Sequence, residues 1–204
     1  MAKKWTNRNM PGALHFVTGN TLNRKPLFKN DDYCRALLGE IQRLRTIGQF
    51  KLVALVIMFD HFHLIINPPD GDIQAAMRDL KSFAAKAIIS ASNEGLGDQI
   101  WQEGFKAVPL WSDWMIRQKI NYIHANPVRA ALCDTAEDYP WSSFRYFYRE
   151  EVDPLLQVDS EWWWPGDQER VIPEVRKWEA ERVGRLEAQI EKNRAKLRGG
   201  RPPS

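Results

Sequence analysis

Short apolar runs alternate along this chain with longer segments in which apolar residues recur every three or four positions. The stretch "ALHFVTGNT" (13–21) is β-branched and aromatic and closes on Gly and Asn, which predicts a strand running into a turn. Over 30–48, Tyr33, Leu37, Leu38, Ile41 and Leu44 recur at helical spacing behind Asn and Asp cap residues, and Gly48 supplies a stop. Two unbroken apolar runs follow, "FKLVALVIM" (50–58) and "HFHLIIN" (61–67), separated by a polar break at Asp60 and ended by Pro68 and Pro69. They predict a hairpin with a very tight or bulged connection. A second helix is expected over about 70–93, with Ile73, Met77, Leu80, Phe83, Ala84 and Ala87 as its apolar stripe, then a short strand within 96–110. A third helix, 112–126, starts at Ser112 or Asp113 and is expected to stop at Pro127. This order predicts an α/β (α+β) sandwich around an antiparallel sheet, a ferredoxin-like or RRM-like layout.

Past "DYPWSSFRYFYRE" the pattern changes. A tryptophan-dense loop (160–169, with Trp162, Trp163 and Trp164) precedes a charged helical stretch, 173–198, with Val183, Leu186, Ile190 and Leu197 on one face, and "GGRPPS" is flexible by composition. This divides the chain into a domain over 1–150 and a C-terminal helical extension over 151–204. The extension is a dimer seam, a docked helix or a DNA clamp, and a monomer and a homodimer both remain open. The total of 204 residues, 44% of them hydrophobic, is enough for one substantial core with an appendage. No uncharged apolar run reaches roughly 18 to 20 residues and no leader pattern opens the chain, so a soluble, cytoplasmic protein is expected. Cys34 and Cys133 lie far apart without ligand spacing and read as small apolar residues.

A net charge of +3 says little until it is mapped. Residues 1–29 hold Lys3, Lys4, Arg8, Arg24, Lys25 and Lys29 with no acid, and from Lys192 onward Arg194, Lys196, Arg198 and Arg201 repeat the pattern. Two basic ends suit a polyanion, because neutralising phosphates is the main sequence-independent source of nucleic-acid affinity. Solvated, solubilising ends are the plainer reading.

Two of the chain's four histidines stand in "DHFHLI". On a strand, His61 and His63 share a face while Phe62 and Leu64 point to the layer behind. Two imidazoles so placed can chelate one cation, although a histidine in an apolar strand also serves as a hydrogen-bonded core residue. In "INYIHANPVRAAL", Tyr122 and Asn126 are one helical turn apart. A phenol can act as nucleophile, and an amide oxygen can complete a metal shell begun by two histidines, leaving positions for a phosphate oxygen and water. Otherwise Tyr122 shows its hydroxyl to solvent and Asn126 merely ends a helix. His124, two residues from Tyr122, points away from it and reads as structural.

"MFDHFHLIINPP", "YIHANPVRAAL" and "DYPWSSFRYF", with "HFVTGNTLNRKPLF" from His15 and "IWQEGF" from Ile100, together resemble the REP-associated tyrosine transposases, relatives of the single-tyrosine HUH transposases of small insertion sequences. The resemblance spans about 12–147 with the motifs in order. It implies that His61, His63 and Asn126 hold Mg2+ or Mn2+ and that Tyr122 is the nucleophile. It further implies cleavage of single-stranded DNA at or near repetitive palindromic hairpins through a 5′-phosphotyrosine, in the cytoplasm at the nucleoid. Phe59 and Asp60 stand where the family has Pro-Asn, and Ala131 where it has Gly; Asp60, beside the histidines, bears on metal preference.

Arg24, Lys25, Lys81, Arg117, Lys119 and Arg129 are the basic residues near these motifs and the candidates for holding DNA. Trp162, Trp163 and Trp164 could stack on bases or anchor the tail helix. Two further readings stand beside the transposase: a hairpin-binding module that does not cut, and a metal hydrolase that uses water and forms no protein–DNA adduct.

Overall fold

The computed structural model describes residues 7–92, 95–149, 156–159 and 168–199. Trp162, Trp163, Trp164 and the last residues fall outside them. The elements run β1 (Leu14–Asn20), α1 (Asp31–Thr46), β2 (Lys51–Met58), β3 (His61–Asn67), α2 (Ile73–Ser90), β4 (Lys106–Leu110), α3 (Asp113–Arg129), α4 (Phe144–Arg149) and α5 (Gln168–Gly199). The four strands form one sheet in the order β2-β3-β1-β4 with every pairing antiparallel, the ferredoxin-like arrangement expected from the element order.

Why β2 and β3 read as unbroken apolar runs is answered by burial on both faces: all but the first residue of each is buried. One face carries Phe62, Leu64 and Ile66 and the other His61, His63 and Ile65. The β2–β3 connection is a two-residue turn, with Met58 opposite His61, and the irregularity lies further along, where Val53 is inserted between the Leu52 and Ala54 pairings. Asn30 caps α1 by accepting from the Asp32 amide, Asp72 caps α2 through the Gln74 and Ala75 amides, and Ser112 caps α3 through Met115. Within the predicted α2 stripe Phe83 is not core: it is 38% exposed, and the Arg43 guanidinium covers its ring at 4.5 Å.

Pro127 does not end α3. The helix runs on to Arg129, because a proline so close to the end forfeits little beyond its own missing N–H, and the exposed carbonyls find other donors. Ala130 N–H bonds to the Asn126 carbonyl at 2.9 Å, Ala131 N–H to Val128 at 3.0 Å and Leu132 N–H to Pro127 at 2.9 Å. Ala131 sits at φ 60°, so the helix closes in a Schellman turn with alanine at the left-handed position.

The "DYPWSSF" stretch lies along the free edge of β2. The Tyr139 hydroxyl donates to the Ile57 carbonyl at 2.7 Å, Ile57 N–H to the Trp141 carbonyl at 2.9 Å, and Ser143 N–H to the Leu55 carbonyl at 3.0 Å. Further on, Asp159 accepts from Leu52 N–H at 2.7 Å and pairs with Arg45, so this edge is covered and offers no open template for pairing. Leu156 and Val158 are buried with it, beyond the soft boundary placed near 150. The first half of α5 docks beside α3: Val175 is fully buried, Glu179 accepts from Ala136 N–H at 2.7 Å, and Arg176 joins Glu137 and Glu179. Val183 and Ile190, expected on an apolar face, are about half exposed.

Candidate active site

The face of β3 that carries His61 and His63 is built from the strands on either side. Thr18 pairs opposite His63 and Asn20 opposite His61 on β1, and Val56 and Met58 occupy the same rungs on β2. The two imidazoles stand edge to face with centroids 4.8 Å apart, and His63 stacks on Phe16 at 5.0 Å. From α3, the Tyr122 ring meets His63 at 5.3 Å and Phe16 at 5.8 Å. The phenol and the two imidazoles, read from separate motifs, therefore occupy one site. Asn126 stands one turn beyond Tyr122 on the same helix face, half-buried.

Each imidazole is held by its Nδ1. His61 Nδ1 donates to Asp60 Oδ1 at 2.6 Å, and His63 Nδ1 is 2.8 Å from Thr18 Oγ1. This leaves Nε2 as the second ring nitrogen of each, and His63 Nε2 is buried without a partner among the described residues. Burial, followed by His61 next to it, pushes His63 down to about 3, and burial also lowers His61 against the opposing pull of Asp60. Both rings are therefore neutral near pH 7, the form that binds a metal. The Asn126 amide nitrogen is likewise buried and unpartnered. A half-turn of that amide exchanges its nitrogen for its oxygen in the same space, so a coordinating oxygen fits there. Among the described residues no three His, Cys, Asp or Glu side chains gather, and the Asn126 amide is a neutral oxygen donor that could stand as a third ligand. Two imidazoles and an amide oxygen are a donor set that Mg2+ or Mn2+ accepts.

Cations flank the phenol. Lys119 Nζ lies 5.4 Å from the Tyr122 ring centre and 4.8 Å from that of Phe16, and the Arg129 guanidinium lies 5.6 Å from Tyr122. Burial, then Lys106 close by, lowers the Lys119 ammonium from its usual value. Arg24 pairs with Asp60 at 2.9 Å, with Lys25 exposed beside it. Arg117 is half-buried two residues before Lys119. Lys81 does not join this group: its ammonium donates to the Gln102 and Gly104 carbonyls at 2.8 and 2.6 Å and ties α2 to the loop before β4. His124 is fully buried between Phe144 and Phe147, with Nε2 3.0 Å from Ser143 Oγ, as a structural residue should be.

Sequence reasoning passed over Thr18 and Phe16, which only the β1–β3 register brings onto His63. It also passed over Trp111 and Trp114, 70% and 67% exposed at the start of α3. The "IWQEGF" motif proves to be scaffold: Trp101 packs edge-on against Phe62 at 5.4 Å, behind the histidines, and donates from Nε1 to the Lys81 carbonyl at 2.8 Å.

A four-stranded antiparallel sheet thus presents an HxH pair to a tyrosine borne on the facing helix. The family model described as Transposase IS200 like matches residues 12–126, and the chain belongs to that family of transposases. It is 27% identical over 158 residues to the REP-associated tyrosine transposase of Escherichia coli (strain K12), an alignment covering 76% of this chain and 87% of the relative. A relative from Haemophilus influenzae is 27% identical over 152 residues, 70% of this chain and 86% of that one. The solved structure of a REP-associated tyrosine transposase bound to a REP hairpin superposes with a TM-score of 0.61 at 23% identity, covering 77% of this chain and 92% of that one, and shares the fold.

Proposed function

We propose that the protein cuts and rejoins single-stranded DNA next to REP-like hairpins, with Tyr122 as nucleophile and His61, His63 and Asn126 as ligands of Mg2+ or Mn2+. The observation that carries this reading is the Tyr122 ring 5.3 Å from His63, whose Nε2 is buried and open. A cation held by His61, His63 and Asn126 would supply a positive charge to polarise the scissile phosphate. Tyr122 Oη attacks phosphorus, its proton passes to solvent, the P–O3′ bond breaks, and the protonated 3′-oxygen leaves as a hydroxyl while the 5′-phosphate stays on Tyr122. Reversal by the same or another 3′-hydroxyl rejoins the strand. A free phenol ionises near pH 10, so about one in a thousand is phenolate at neutral pH. Lys119 and Arg129 lie where they offset the charge that builds up as the phenol attacks. The sequence similarity to REP-associated relatives supports hairpin DNA as the substrate class, which would place the protein's action at the nucleoid.

The test is a labelled hairpin oligonucleotide with a single-stranded flank, incubated with Mn2+ or Mg2+ and resolved under denaturing conditions. Wild type should give a cut strand and a covalent protein–DNA band, and Tyr122→Phe should lose both while still binding. Cleavage without an adduct would favour a water-using hydrolase, and binding without cleavage in any divalent metal would favour a recognition module. Trp111, just before the helix that carries Tyr122, and Trp114, in its first turn, offer stacking surfaces. Replacing both with Ala should weaken binding of the single-stranded flank about 10-fold, measured by fluorescence anisotropy, and leave the fold intact because both are exposed.

A further inference from the structure

We infer that Asp60 and Arg24 form a positioning relay that fixes the ring of His61 for a divalent cation, a role that rests on the reading of His61 as a ligand. Asp60 occupies the turn between β2 and β3, and both ends of its carboxylate are engaged: Oδ1 accepts from His61 Nδ1 at 2.6 Å, and Oδ2 forms an ion pair with the Arg24 guanidinium, Nε lying 2.9 Å away. The same guanidinium donates to Asn20 Oδ1 at 2.6 Å, and Asn20 is the residue opposite His61 in the β1–β3 register. The contacts close a ring, from His61 through Asp60, Arg24 and Asn20 and back across the ladder to His61. The Asp60 carbonyl is fixed as well, accepting from Thr21 N–H at 3.0 Å and from Thr21 Oγ1 at 2.9 Å. The carboxylate therefore has little freedom to swing.

The chain strains its backbone to complete this ring. Asn23 and Arg24 lie at φ 53° and 56°, consecutive left-handed residues in the turn after β1, a region that asparagine tolerates and arginine does not favour. Such strain persists where the surroundings over-determine it, and here Arg24 is held at two points. Lysine could reach one of these acceptors but lacks the planar fork that meets both.

Two chemical consequences follow for His61. Donation from Nδ1 to a carboxylate fixes the tautomer with an open lone pair on Nε2, and it raises the ring's strength as a ligand. Arg24 occupies the carboxylate oxygen that could otherwise turn to the cation, so Asp60 acts through His61 and is not a ligand. Residues of this kind typically change metal affinity 10- to 100-fold.

Calorimetric titration of the purified full-length protein with MnCl2 tests the relay, alongside 15N NMR of the imidazoles and metal-free melting curves. Asp60→Ala should weaken Mn2+ binding 10- to 100-fold. Asp60→Asn, which keeps the shape and an acceptor but not the charge, should fall between it and wild type. Arg24→Lys should weaken it severalfold, and Asp98→Asn, at an exposed site, should match wild type. The NMR signal of His61 should report a single Nδ1–H tautomer in wild type and a mixture in Asp60→Ala. Mn2+ affinity within twofold of wild type in both Asp60 variants, with wild type itself binding, would overturn the relay and leave the metal reading standing. Failure of wild type to bind Mn2+ would overturn both.

Discussion

Phe62 sets the depth at which His61 and His63 stand, because a strand that turns two side chains to one face is held by what it buries on the other. Its ring is fully buried against Trp101 and lies across Gly19, its partner in the β1–β3 register. A Cβ at Gly19 would overlap the Phe62 ring. Glycine is required there for space and not for backbone freedom. Gly19→Ala should cost about 1–3 kcal/mol of stability through overpacking, lowering the melting temperature by several degrees. The displaced ring should also shift the NMR signals of both flanking histidines. A melting curve superimposable on wild type would show that the sheet absorbs the methyl group and that Phe62 does not fix the site. The same economy applies to Thr18, which reaches His63 Nδ1 only because the register brings it opposite.

At the scale of elements, α3 matters most, since its length decides whether Asn126 shares a face with Tyr122. The Schellman turn keeps Asn126 inside the helix by supplying donors to the carbonyls of residues 126–128. The cost falls on Ala131, which holds φ 60° with a Cβ present. A left-handed alanine costs about 1–2 kcal/mol, and glycine would return about 0.4–1 kcal/mol of that through greater freedom of the unfolded chain. Ala131→Gly should therefore stabilise the protein by roughly 0.5–1 kcal/mol, read from the denaturant midpoint at unchanged slope. A lower midpoint would mean that the turn is not strained. The strands, α1 and α2 were legible because their apolar periods are set by the core they bury. The extent of α3 was not, because a proline signals a stop by its own chemistry while the donors that let the helix continue come from residues 130–132. The HxH pair and the Tyr122/Asn126 spacing were visible as local periods. Thr18, Phe16 and the Arg24–Asp60 contact depend on strand register and a strained turn, and no local pattern announces either.

Across the whole molecule, the "DYPWSSF" stretch joins the two halves of the site. Ser143 Oγ touches both Leu55 of β2 and His124 Nε2 of α3, so one hydroxyl ties the helix bearing Tyr122 to the sheet bearing the histidines. His124 is pushed down to about 3 by burial, as is His63, and burial also lowers His15 and His61. In the unfolded chain these rings titrate near 6.5. Between about pH 6.5 and 3 the unfolded state therefore carries more protons than the folded state, unfolding takes protons up, and stability falls as pH falls. For His63 and His124 together the loss from pH 7 to pH 5 should be on the order of 2–4 kcal/mol, with a slope approaching two protons. Urea unfolding at pH 7, 6 and 5 measures it directly. His124→Gln should reduce that slope by about one proton whatever it does to stability at pH 7, because glutamine does not titrate. Equal stability at pH 7 and pH 5 would mean that these rings take up protons while folded. The burial that keeps the site's imidazoles neutral for a cation would then be absent, and with it the physical basis for reading His61 and His63 as ligands.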